Sequence, residues 1–361
     1  MRHISPPKKS IWSIVLFSFL FFLIAAAVVE EVARTPWFER NLPYRSVGNH
    51  NYQFEIKWFR LQDYVEQNGG VDIIILGSSL VNTGLDPDIV SQTFYEQTGT
   101  RPRIFNFGVE GLTIAPNSVL AGLLVERYHP ALLIYVTEMR DYIAGNGLEY
   151  ETPFLNDPWF RYQLGDFTLF GWLADHSAAL QHYLPFRNWM QANFLETAPI
   201  YLRRYADTTA SGYEPDRATA SDLDATPDPK DPHEAPYFEE YGNYQIAPSR
   251  LEDLNTILKL KRDGETAVWV VEMPVHASFY VYVGGEAVHR EFQQTIASLI
   301  VSKGSLFIPA ETCNAIPLEG RSNRWHLNYI GAPYFSHCLG GQLAIYAGQH
   351  GTAFLTGDNS R

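Results

Sequence analysis

Hydrophobic and polar residues are arranged in three ways along the chain. Residues 11–29, "IWSIVLFSFLFFLIAAAVV", form an unbroken apolar run without a charge, about the length that crosses a bilayer as a helix. A polar, aromatic stretch follows to Gly70, in which "FEIKWFRLQDYVEQ" has the i, i+3, i+4 spacing of an amphipathic helix. From Asp72 the pattern alternates between short apolar runs and amphipathic segments. It predicts strands at 73–76, 103–107 and 132–136, with helices at 86–97 and 115–128.

The alternation stops at Tyr142. Residues 142–244 are rich in aromatics ("PWFRYQLGDFTLFGW", "HYLPFRNWMQANF") and end in the acidic, Pro-rich stretch "DTTASGYEPDRATASDLDATPDPKDPHEAP". The first half is expected to be a helical insertion that packs on the core or faces the membrane, the second a mobile loop. The pattern then resumes with helix 249–262, strand 267–272, helix 288–302, strand 306–309 and a last helix over about 331–348. Short buried strands separated by amphipathic helices predict a parallel sheet covered on both faces, a three-layer α/β/α domain. The expected organisation is a cytoplasmic tail (1–10), a transmembrane anchor (11–33), a connecting segment (34–70), an α/β domain in two parts (71–141 and 247–361) and the insertion (142–246). No internal repeat is visible.

Composition narrows the function. The chain has 361 residues, 46% of them hydrophobic, enough for a full core. A net charge of −13 with no local basic patch excludes a nucleic-acid partner. Arg2, Lys8 and Lys9 precede the apolar run and Glu30 and Glu31 follow it. That asymmetry predicts a single pass through a bacterial cytoplasmic membrane, N-terminus inside and the remainder extracytoplasmic. The alternative is a cleaved signal peptide processed near Ala25, Ala26 and Ala27. Outside the cytoplasm Cys313 and Cys338 can pair and staple the "NRWHLN" segment between them. The alternative is two unrelated buried thiols.

Ligands of open parallel sheets gather at the carboxyl ends of the strands. Three loops expected there carry unusual residues: Gly77-Ser78-Ser79, "NFGVEG" (106–111) and "TEMRD" (137–141). A fourth segment, "NRWHLNYIG", supplies His326. Alone, Ser79 reads as a helix-start serine and His326 as an ordinary loop histidine. Together, with glycines at two strand ends, they supply the parts of an acyl-transfer site: a hydroxyl nucleophile, a proton acceptor and close-approaching backbone N–H donors.

These residues resemble the SGNH or GDSL-like hydrolases, which carry Gly-Asp-Ser near the start of the domain, a glycine after the second strand, Gly-x-Asn-Asp after the third and Asp-x-x-His near the end. The resemblance covers roughly 72–141 and 267–348, and leaves the insertion without a counterpart. It implies the flavodoxin-like, SGNH-type fold. It implies Ser79 as nucleophile, His326 as base, and an oxyanion hole from the N–H groups of Ser79 and Gly111 with Arg140 as a third donor. "HLNYIG" continues the family's His-x-Asn-x-x-Gly. Gly-Ser-Ser in place of Gly-Asp-Ser is similar to the membrane-anchored branch that includes the D-alanine-transfer protein of teichoic acid modification and exopolysaccharide acetylation proteins.

Two positions depart from the family. Arg140 stands where the third block has Asn, and its alternative role is an ion pair with Asp141 or Glu138. Asn323 stands where the family has the acid that orients histidine, so Glu319 or Glu311 substitutes, or the site works as a Ser–His dyad, or it is inactive. His276, ending "EMPVH", reads as a strand-end loop residue or as a rim residue. No metal-ligand spacing and no phosphate-binding glycine loop occurs, so neither metal nor cofactor is expected. The expected function is a membrane-tethered serine esterase or O-acyltransferase acting on an envelope polymer or glycan ester. The alternative is a non-catalytic binding module that partners a membrane acyltransferase.

Overall fold

The computed structural model describes residues 11–145, 147–220, 223–261 and 266–351. The expected tail, 1–10, lies outside them. Five strands, β1 (Ile73–Gly77), β2 (Ile104–Gly108), β3 (Leu132–Thr137), β4 (Ala267–Glu272) and β5 (Leu306–Ile308), form one all-parallel sheet in the order β2-β1-β3-β4-β5. This is the flavodoxin-like order, whose direction reverses between β1 and β3 and opens a crevice at their carboxyl ends. Register is set by apolar neighbours: Ile73 pairs with Ile104 on one side and Leu132 on the other.

In chain order the helices are α1 (Ile11–Ala33), α2 (Pro36–Asn41), α3 (Tyr52–Asn68), α4 (Ser79–Gly84), α5 (Pro87–Thr98), α6 (Ile114–Tyr128), α7 (Leu148–Leu155) and α8 (Pro158–Gln163). They continue with α9 (Leu169–His176), α10 (Ala178–Ala192), α11 (Phe194–Asp207), α12 (Ala235–Tyr241), α13 (Pro248–Leu258), α14 (Glu286–Ser302) and α15 (Gly331–His350). The chain forms two compact units, Met1–Asn49 with Pro158–Ala198, and His50–Asp157 with Pro199–Arg361. The second unit holds the sheet.

One face of the sheet presents Ile73, Ile75, Ile134 and Val271 to Val90 and Phe94 of α5 and Phe335, Leu339 and Leu343 of α15, all buried. Alternate residues, Ile74, Leu133, Tyr135 and Val270, point the other way and are equally buried. Both faces are therefore covered, which explains strands that read as apolar runs, with Asn106, Thr137 and Glu272 the polar exceptions toward their carboxyl ends. The expected helix at 86–97 is α5, started by Asp86, whose carboxylate accepts the Asp88 N–H at 2.9 Å, with Pro87 as first helical residue. The short α4 before it was not expected, since six residues carry too little periodicity to stand out.

In the first unit α1 spans 23 residues, and Trp12–Ala33 is long and apolar enough to cross a membrane. Its end is tied to the insertion. The Glu30 carboxylate accepts Ser177 Oγ–H at 2.7 Å and the Ala178 and Ala179 N–H groups at 2.8 and 3.2 Å, capping α10. Arg34, ion-paired with Glu30, donates to the His176 carbonyl at 2.7 Å.

Candidate active site

Gly77 ends β1 and the chain turns at once into α4. The two serines of the turn do different things. Ser78 is the N-cap, its hydroxyl accepting the Leu80 N–H at 3.4 Å, whereas Ser79 is the first helical residue. At that position a backbone N–H has no intrahelical partner. The loop after β2 approaches closely: a side chain at Gly108 would put Cβ 2.4 Å from the Asn82 nitrogen, so only glycine lets the strand end reach α4. Asn106 fastens the two, donating to the carbonyls of Val81 and Leu85 at 2.7 Å each while accepting the Gly108 N–H at 2.9 Å.

His326 arrives from the loop before α15. An antiparallel bridge between Arg321 and Leu327 closes this loop, and the Cys313–Cys338 disulfide, with Cα atoms 5.6 Å apart, brackets it. Asn323 shapes its turn, with Oδ1 accepting the N–H groups of Trp325 and His326 at 3.0 and 2.8 Å. The result brings together residues 247 apart in sequence: Ser79 Oγ lies 2.8 Å from His326 Nε2. The other ring nitrogen, Nδ1, is 3.0 Å from Asn323 Nδ2. Burial, assisted by the nearby positive charge of Arg140, lowers the His326 pKa from 6.5 to about 4, with Asp216 acting weakly the other way. The imidazole is neutral at pH 7.

The remaining expected residues fall as follows. Gly111 has φ +79°, which favours glycine; it does not itself line the cavity beside Ser79, but follows Glu110, which does, and packs against the Tyr150 ring. Arg140 is ion-paired with Glu138, hydrogen-bonded to Tyr241, and lies 4.8 Å over the Trp325 ring. Among the described residues it does not line the cavity holding Ser79 and His326. The guanidinium is thus held back by its carboxylate and aromatic partners, and it influences His326 through its charge. Of the two ion-pair partners expected for Arg140, Glu138 is the one in contact; Asp141 is instead buried with Thr137 and Tyr135 donating to its carboxylate at 2.8 and 3.1 Å.

Neither substitute acid reaches the histidine. Glu319 is exposed and Glu311 accepts from Gln293 at 2.9 Å, because each sits on a short 3-10 turn away from the imidazole edge that Asn323 covers. His276 caps its own 3-10 turn and hydrogen-bonds Ser278 Oγ at 2.7 Å. It does not line the cavity. Among the described residues no His, Cys, Asp and Glu group is arranged to hold a metal ion.

The cavity, about 500 Å³, is walled mainly by polar and charged side chains, including Gln53 of α3, Asn82, Arg203 and Arg204 of α11, Glu214 and Asp216. Glu214 accepts from Gln53 at 2.7 Å and Asn82 at 3.0 Å, and Arg204 pairs with Glu110 at 2.7 Å. The stretch expected as a mobile loop has no helix or strand over 208–220, yet its backbone is held at several points. Asn106 donates to Ser211, Glu214 to Asn82, Tyr329 to Asp216 and Ala220 to Arg321, at 2.7 to 3.2 Å. These bonds fix one wall of the cavity. None of the residues of this wall stands out in the sequence, since the stretch has no regular period.

Beneath the site Lys57 of α3 is fully buried, its ammonium donating to Asn106 O and Oδ1 at 3.2 Å each and to Gly212 O. Burial lowers its pKa from 10.5 to about 7, against the opposing pull of Glu214. The signal was present in "FEIKWF", where a lysine occupies the face shared by Phe54 and Leu61.

No family model and no curated protein matches the chain. Among solved structures, a gut microbial diltiazem-metabolizing enzyme is similar with a TM-score of 0.34 and 11% identity over 76% of this chain. The chain spans about half the length of that protein, 47%. Similarity at this level identifies neither family nor activity.

Proposed function

We propose that this chain is an SGNH-like serine esterase or O-acyltransferase, with Ser79 as nucleophile and His326 as general base and then acid. The observation that carries the reading is the 2.8 Å contact between Ser79 Oγ and His326 Nε2 at the carboxyl edge of the sheet, beside the crevice where its order reverses. In the first step, from the tautomer with the ring proton on Nδ1, the serine oxygen attacks the ester carbonyl carbon as its proton passes to Nε2. The proton then returns to the leaving alkoxide as the carbon–oxygen bond breaks, leaving an acyl-serine. Water or an acceptor hydroxyl repeats the sequence in the second half. The backbone N–H groups of Ser79 and Gly111 are the proposed oxyanion donors. Arg140, turned toward Glu138, Tyr241 and Trp325, is assigned no direct donor role.

The polar cavity suits a hydroxylated, glycan-like substrate carrying a short acyl group, and its volume is in the usual range for small-ligand sites. Reading α1 as an uncleaved anchor, with the α/β domain outside the cytoplasm, makes an envelope polymer the proposed substrate. Pairing of Cys313 with Cys338 agrees with an oxidising compartment.

One observation favours a second reading, a binding module that partners a membrane acyltransferase: the imidazole faces a carboxamide where a carboxylate would orient it. A serine-reactive fluorophosphonate separates the two. Covalent labelling of the native chain that is lost in Ser79→Ala supports the enzyme; equal absence of labelling in both supports the binding module.

A further inference from the structure

The first unit carries more apolar surface than its own interior uses. Residues 158–198 hold ten aromatic and five charged residues among 41, against 14% aromatic and 19% charged for the whole chain. Trp159, Phe160, Leu184 and Trp189 fill the interior and are buried. Left outside, besides Leu164, Tyr183, Met190, Phe194 and Leu195, are Leu169, Trp172 and Leu173 of α9, which share one helix face at i, i+3 and i+4 spacing, with Phe167 just before them and Trp37 on α2. Leu169 and Phe167 are 64% and 72% exposed, values that an isolated soluble surface gives large apolar side chains only singly.

The position of this face relative to α1 is fixed within the unit. Glu30 and Arg34 clamp the end of α1 to residues 176–179, and Trp172 stacks on His176, 5.2 Å between ring centroids. At about 1.5 Å per residue, Leu169 is on the order of 10 Å along α9 from the clamp. A helix of this length and apolarity ends at the water boundary where its first charge, Glu30, can be solvated or capped. That boundary is where the amphipathic rings of Trp accumulate and where an apolar helix face can enter the headgroup and acyl border.

We propose that α9, with Phe167 and Trp37, is a second and interfacial membrane contact, lying in the surface of the bilayer that α1 crosses. The proposal rests on reading α1 as an anchor. Continuity with the anchor, the tryptophans and the scarcity of charge favour lipid over a protein partner.

The test uses the full chain in phosphatidylcholine–phosphatidylglycerol vesicles, with one cysteine per variant, Phe19→Cys, Phe167→Cys or Leu169→Cys, carrying a nitroxide. The native thiols are paired and do not react. All three sites are exposed, so the substitutions spare the fold. Collision with oxygen is expected to exceed collision with a water-soluble nickel chelate several-fold at Phe19, and by a smaller margin at Phe167 and Leu169. Water-like values at Phe19 would overturn the anchor itself. Hydrocarbon values at Phe19 with water-like values at Phe167 and Leu169 would overturn the interfacial contact alone. The same pattern with the last two labels immobilised only in native membranes would assign the face to a protein instead.

Discussion

Asn323 presents its amide N–H to Nδ1 of His326 at 3.0 Å, and cannot present its oxygen instead, because that oxygen already accepts two backbone N–H groups at 2.8 and 3.0 Å. Flipping the carboxamide would set N–H against N–H twice. Nδ1 is therefore the acceptor, the ring proton sits on Nε2, and Nε2–H donates to Ser79 Oγ. A general base at Ser79 needs the opposite tautomer. The proposed reaction therefore runs from the minor tautomer, with the ring proton moved to Nδ1.

Asn323→Asp corrects this with one atom. One carboxylate oxygen keeps the turn to Trp325 and His326, and the other accepts Nδ1–H, freeing Nε2 to take the serine proton. In serine proteases the reverse exchange lowers kcat by about 10⁴, so a gain of roughly 10²- to 10⁴-fold is expected. Turnover of a p-nitrophenyl acyl ester by the purified full chain measures it. Unchanged turnover in the variant would mean that the orienting residue is not what limits the site.

The acid limb of kcat/KM follows from the histidine. Its pKa is lowered to about 4, so it stays neutral from pH 7 down to that value and is protonated only below it. Activity of the native chain is expected to persist at pH 5 and to fall through pH 4. In Asn323→Asp the added negative charge favours imidazolium, and the limb moves upward. A native limb at the ordinary histidine value of about 6.5 would contradict the burial that sets this prediction.

The adjacent serines separate by effect. Ser78→Ala removes only a helix cap, at a cost of about 0.5–2 kcal/mol in stability, and keeps fluorophosphonate labelling. Ser79→Ala keeps the melting temperature and loses labelling. Thermal unfolding and labelling of both variants decide between them, and the reverse assignment would move the nucleophile by one residue.

What was legible in the sequence is what repeats or punctuates locally. The five strands are mostly apolar on both faces and stand out as runs, Gly77-Ser78-Ser79 marks a strand end, and His326 lies in a recognisable segment. The orientation of the Asn323 amide was not legible, because backbone N–H groups of the folded turn decide it. Nor was the place of Arg140: Glu138 is near in sequence, but Tyr241, Phe279 and Trp325 meet it only in the fold. The cavity wall at 203–218 is built from an insertion without regular period, tied down by backbone bonds that composition does not encode.

Lys57 offers a test of the buried network that holds the site together. It is fully buried among carbonyl and amide oxygens, and with its pKa lowered to about 7 it is partly neutral at physiological pH, whereas in the unfolded chain it keeps its proton until about 10.4. Between pH 7 and that value the unfolded state binds more protons, so this group makes stability rise with pH and lets it fall again as pH drops toward 7. From pH 7 to pH 9 its share is on the order of 2 kcal/mol. Lys57→Met fills similar space and removes the titration, at the cost of leaving Gly212 O and Asn106 O without this donor. The variant is expected to lose the upward slope of unfolding free energy between pH 7 and 9, whatever its stability at pH 7. Other titrating groups are common to both chains and cancel in the difference. Parallel pH profiles for native and variant chains would show that Lys57 remains fully protonated in the fold, and that its ammonium is held by its oxygen acceptors as firmly as by water.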